Sequence, residues 1–151
     1  MKINSSHARS MESQRGASLI EVLVAVLVLA IGMLGIAALQ SMTLKNTQSA
    51  SDRTAAIIQG YAILDMLRAN REDAMAGLYN EGYRCAAPTS STSRINADRA
   101  AWIAQLHDSV GASACSRVDC NANSCVVGVR WNDERATGGD TEQEIETETR
   151  L

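Results

Sequence analysis

Apolar positions along this chain fall into three patterns. Residues 17–39 read ASLIEVLVAVLVLAIGMLGIAAL, a nearly unbroken apolar run whose one charge is Glu21. Residues 40–70 contain no proline and one glycine, Gly60. Within them Leu44, Ile57, Ile58, Tyr61, Leu64, Met66 and Leu67 recur at helical spacing, which predicts a single apolar stripe from residue 57 on. The two stretches join into one predicted helix that stops at Asn70 or in the Arg71, Glu72, Asp73 run. Residues 77–94 are rich in Gly, Ser and Thr and read as loop. A second helix is predicted over residues 97–110, capped by Asn96 and ended by Gly111. Its apolar face carries Ile103, Leu106 and Val110 with Arg99, and Trp102 beside them serves as a core anchor.

The third pattern is strict alternation. Residues 125–131 place Val127, Val129 and Trp131 on one face and Val126, Gly128 and Arg130 on the other. The last stretch sends Glu142, Glu144, Glu146 and Glu148 outward and Ile145, Thr147, Thr149 and Leu151 inward. The two segments are predicted to pair as an antiparallel hairpin across a loop containing Gly138 and Gly139. The Glu row reads as a solvated face that blunts pairing with other chains, the sharper alternative being an acidic stripe that binds a partner. The expected fold class is α+β: a long N-terminal helix, one half apolar and one half amphipathic, packed on a small C-terminal antiparallel sheet.

Composition narrows this picture. Of 151 residues, 46% are hydrophobic and 3% aromatic, with no Phe. Trp102, Trp131, Tyr61, Tyr79 and Tyr83 all lie beyond residue 60, so a core supplied with aromatics forms only in the C-terminal part. A formal net charge of −3 gives no reason to expect nucleic-acid binding. Two histidines, His7 and His107, leave little for a metal site, and no metal or cofactor is expected. The chain lacks G-x-S-x-G, H-E-x-x-H and phosphate-loop patterns, so an enzyme carried on a signal anchor finds no support in its motifs.

The four cysteines, Cys85, Cys115, Cys120 and Cys125, all follow the apolar run. An even count beyond a membrane segment favours disulfides in an oxidising compartment, and the spacing does not suit zinc. Three connectivities are open. A hairpin turning at residues 121–124 would set Cys120 against Cys125 and leave Cys85 for Cys115.

As a helix, residues 17–39 span about 34 Å, enough for a bilayer core of about 30 Å. The run is longer than the apolar region of a cleaved secretory signal, about 7–15 residues. Lys2, Arg9 and Arg15 against Glu12 precede it, while Lys45, Asp52 and Arg53 follow, so the positive-inside bias puts the N-terminus in the cytoplasm. Glu21 is the anomaly. A carboxylate at the bilayer centre costs about 2.5–3.5 kcal/mol. Either Glu21 sits at the cytoplasmic interface, or it awaits a positive partner. The apolar run holds none, so that partner comes from another chain or from a new N-terminus. Gly32 and Gly35 interrupt the run without forming a G-x-x-x-G pair; they are either tolerated small residues or a locally soft stretch.

The octet Arg15-Gly16-Ala17-Ser18-Leu19-Ile20-Glu21-Val22 resembles the signal of type IV prepilins and of type II secretion pseudopilins. Gly16 matches the last leader residue, Ala17 the first mature residue and Glu21 the fifth. Ala17 stands where the family most often has Phe. The stretch AIIQGYAILDMLRANRED is similar to the helix end of the PilV group of minor pilins, and weaker likenesses are C-V-V-x-V-x-W and the final E-T-x-T-R-L.

The resemblance implies a leader over residues 1–16, a membrane and filament-core helix over 17–39, its amphipathic continuation over 40–70, and a periplasmic α+β domain with disulfides over 71–151. It implies cleavage after Gly16 by a prepilin peptidase, methylation of the new amine of Ala17, and an assembly role for Glu21. The implied function is that of a minor pilin priming assembly of a type IV pilus. Its partners would be other minor pilins, the major pilin and an adhesin-like tip protein, and its location the inner membrane and then the pilus. The alternative within the class is a type II secretion pseudopilin.

Overall fold

A computed structural model describes Gly16, residues 18–90 and residues 92–151. Ala17 and the leader residues ahead of Gly16 lie outside the described residues. The elements run α1 (Leu19–Ala69), α2 (Arg71–Met75), β1 (Glu81–Arg84), α3 (Arg94–Ser109), β2 (Cys115–Cys120), β3 (Cys125–Trp131) and β4 (Gln143–Thr149). The layout is α+β and pilin-like, with one long helix followed by a small antiparallel sheet. The chain divides into two units, Met1–Leu39 and Gln40–Leu151.

In the first unit α1 carries Leu, Val and Ile around its whole circumference, and these side chains are exposed, from Leu19 at 80% to Val22 at 53%. Helix continues unbroken through Gly32 and Gly35. By length and composition it is able to cross a membrane.

In the second unit the sheet has strand order β1-β2-β3-β4, all neighbours antiparallel. The β2–β3 turn is closed by the Asn121 N–H donating to the Ser124 carbonyl at 2.9 Å. The Asn121 Oδ1 accepts from the Asn123 and Ser124 amides, a side-chain substitute for backbone turn bonds. β3 and β4 pair from Cys125 opposite Thr149 to Trp131 opposite Gln143, the predicted hairpin. One face of this sheet meets α1 and α3 over a core of Ile63, Leu64 and Leu67 from α1, Trp102 and Leu106 from α3, and Val118, Val127, Val129 and Trp131 from the strands.

Three sequence expectations are corrected. The buried face of α1 is Ser49, Asp52, Ala56, Gly60, Ile63, Leu64 and Leu67, which shares only Leu64 and Leu67 with the predicted stripe. Ile57, Ile58, Tyr61 and Leu44 stay exposed, at 41% to 71%. A rigid helix presents one face along its length, so the turn buried at Ile63–Leu67 carries Gly60, Ala56, Asp52 and Ser49 inward with it, whatever their polarity. Second, α3 starts earlier than expected. Ser93, not Asn96, is its cap: the Ser93 hydroxyl accepts from the Asn96 amide at 3.2 Å, so Asn96 sits in the first turn as the capped donor. Third, the stretch read as loop contains β1. Four residues, Glu-Gly-Tyr-Arg, hold too little apolar alternation to announce a strand; pairing with β2 makes it one. Gly111 follows α3 at φ 127°, a conformation that favours glycine.

Candidate functional site

Glu21 lies in the first turn of α1, where its amide donates to the Ser18 carbonyl at 2.9 Å. A carboxylate here is favourable to the helix, since the first-turn N–H groups present partial positive charge. Its neighbours Leu19, Ile20 and Val22 are exposed apolar side chains. Among the described residues no side chain forms an ion pair with Glu21. Gly16 is exposed ahead of the helix. A carboxylate therefore stands in the first turn of a helix whose surrounding side chains are apolar, with no ion-pair partner among the described residues.

The cysteines are brought into two pairs, Cys85–Cys115 and Cys120–Cys125. The first joins the end of β1 to the start of β2; the second closes the β2–β3 turn, where the two residues stand directly opposite each other. Both reinforce strand pairings at the rim of the sheet.

Electrostatics organise the domain at two further points that sequence reasoning did not single out. Asp98 on α3 accepts from the Tyr79 hydroxyl at 2.6 Å and from the Asn70 amide at 3.3 Å, tying the end of α1 to α3. Burial, and then this hydrogen bond, hold the Tyr79 phenol well above its ordinary value. The second point is where α1 meets the β3–β4 loop. The Ser49 hydroxyl donates to Asp133 at 2.6 Å, and Gln48 donates to Asp52 at 2.7 Å. Ser49, Asp52 and Asp133 are all buried. The available signal was the spacing of Ser49, Asp52 and Ala56 on the face that leads to Ile63; nothing local pointed to Asp133 as the partner.

The sheet's other face is polar and laced with ion pairs. Arg117 reaches Glu146 at 2.6 Å, and Arg130 reaches Glu142 at 3.0 Å and Glu144 at 3.8 Å. The arginines of β2 and β3 thus neutralise part of the Glu row. The row is solvated, but not on its own.

Residues 11–37 match the family described as the prokaryotic N-terminal methylation motif, the type IV prepilin-like signal. The match covers the predicted cleavage point, Glu21 and most of the apolar run. No curated protein and no solved structure gives a significant match. The motif and the apolar helix together support a membrane-anchored chain of the pilin-like or pseudopilin kind, a structural protein in character, and imply processing by a prepilin peptidase and partners in a pilus-type assembly.

Proposed function

We propose that this chain is a minor pilin of the PilV kind, a structural subunit that takes part in initiating a type IV pilus. The observation that carries the proposal is Glu21: a carboxylate without an ion-pair partner among the described residues, on an apolar helix segment, inside a methylation motif. The leader stays cytoplasmic because it is polar and basic. Cleavage after Gly16 makes a new ammonium at Ala17. In an assembled bundle, Glu21 of one subunit neutralises the Ala17 ammonium of its neighbour. Each charge alone is costly in an apolar bundle, and paired they are much less so, so the pair favours one axial register.

Beyond the membrane the domain over residues 71–151 and the helix half over 40–70 lie in the periplasm, where two disulfides are stable. That domain meets other minor pilins and the major pilin, and a tip protein of adhesin-like character is the further partner. The chain performs no reaction of its own in this reading.

The test compares membrane and sheared-filament pools for the wild type and Glu21→Ala. Removing the carboxylate lowers the insertion cost, so the variant should insert. Intact mass should still show a chain beginning at Ala17 with a methylated amine. It should be missing from the filament pool and fail to prime assembly. Entry of Glu21→Ala into filaments at wild-type level overturns the pairing role. A cut elsewhere than after Gly16 overturns the pilin reading itself.

A further inference from the structure

The β3–β4 loop, residues 132–142, is fastened to α1 by hydrogen bonds and ion pairs. Asp133 is its one buried residue, accepting from Ser49 and lying 3.6 Å from Arg53. Asn46 accepts the Thr137 amide at 3.0 Å, and Arg135 stands 4.0 Å from Asp52. The loop is braced within itself: the Asp133 amide donates to the Asp140 carbonyl at 2.8 Å and the Gly139 amide to the Ala136 carbonyl at 3.1 Å. Its one aliphatic side chain is Ala136. A cavity of about 240 Å³ remains beside these contacts, lined by Leu44, Gln48 and Arg135 among others.

The same helix is held differently a few residues on. Ala56 is 1% exposed, and Ile63, Leu64 and Leu67 are wholly buried against the sheet and α3. Burial of apolar area supplies most of the free energy of such a contact. The loop has a single aliphatic side chain, Ala136, to offer to such a contact, and its hydrogen bonds exchange with water at small net gain. Parting the two surfaces also strands no charge, since Asp133, Asp52, Arg53 and Arg135 all become hydrated together.

We propose that residues 132–142 form a releasable strap, lifting from helix residues 46–53 as one unit while the apolar core stays folded. Opening frees the helix from the domain over the stretch that follows Leu39. Closing fixes it. The inference is independent of the filament reading, since it needs only the second unit.

The experiment is native-state hydrogen exchange with mass spectrometry on the full chain in detergent, combined with carbodiimide labelling of Asp52 and Asp133. In the wild type the amides of residues 133–141 should exchange faster than those of β3, and both carboxylates should label faster than β3 exchanges. Ser49→Ala keeps a good helix former and removes the donor to Asp133. It should speed exchange of 133–141 and labelling of Asp52 about tenfold or more, with β3 protection unchanged. Arg53→Ala should act in the same direction. Exchange of 133–141 and β3 as a single unit in the wild type overturns the proposal. So does a Ser49→Ala chain whose strap protection is unaltered, or whose β3 protection falls equally.

Discussion

A phenol occupies the space that a side chain at residue 128 would need. A Cβ on Gly128 would collide with the Tyr83 hydroxyl, while the Arg130 guanidinium carbon lies 3.8 Å from the Tyr83 ring centroid. The ring from β1 thus crosses β2 to rest on β3, and Gly128 is glycine because of that approach, its φ being ordinary. Gly128→Ala should lower stability by about 1–3 kcal/mol, read as a fall in the urea midpoint at unchanged slope. Tyr83→Ala in the same background should recover part of the loss. A neutral Gly128→Ala would show that the ring does not sit there. A glycine in the middle of a strand hinted at a close approach, but its partner lay in a stretch read as loop.

At the scale of elements, the disulfides differ in what they constrain. Cys85–Cys115 spans a sequence separation of 30 and Cys120–Cys125 one of 5. On chain-entropy grounds the longer loop stabilises by about 3–4 kcal/mol and the shorter by about 2 kcal/mol. Replacing Cys85 and Cys115 together by Ser should therefore lower the urea midpoint more than replacing Cys120 and Cys125. The opposite order would mean that the turn pair carries native enthalpy beyond entropy. The hairpin that sets Cys120 against Cys125 was legible in the alternation of β3, because a strand's faces are written at period two. The buried face of α1 was legible only at Leu64 and Leu67. A helical stripe names several candidate faces, and which one is covered depends on how Ile63, Leu64 and Leu67 meet the sheet and α3.

For the folded domain as a whole, two phenols set an alkaline limit. Burial first, and then the hydrogen bond to Asp98, raise Tyr79 above the usual phenol value. Burial first, with the nearby Glu144 carboxylate, raises Tyr83, whose hydroxyl has no hydrogen-bond geometry with Glu144 or any other described residue. Both folded phenols hold their protons longer than the unfolded chain does. Their contribution to stability is therefore intact below the ordinary phenol value of about 10 and is lost as pH rises above it. An alkaline titration followed by tyrosinate absorbance and circular dichroism should show these phenols ionising together with loss of the fold. Ionisation of all the tyrosines in a domain that keeps its native spectrum would refute this.

Sequence by itself determined whatever is written locally. Twenty-three residues of nearly continuous apolar sequence, the spacing from Gly16 to Glu21, and the alternation of β3 and β4 are patterns along the chain, and each element or motif follows from neighbours within a few turns. The tertiary structure decided what depends on residues far apart. Ser49 and Asp133 meet because α1 and the β3–β4 loop are packed on one domain, and Tyr83 finds Gly128 because β1 joins an edge of the sheet. Neither contact leaves a period in the sequence, since each is made by single polar or small residues whose partners are chosen by packing. Glu21 belongs to the local side, its position being part of a motif within residues 11–37; under the proposed pairing its partner would be set by the packing of one chain on another.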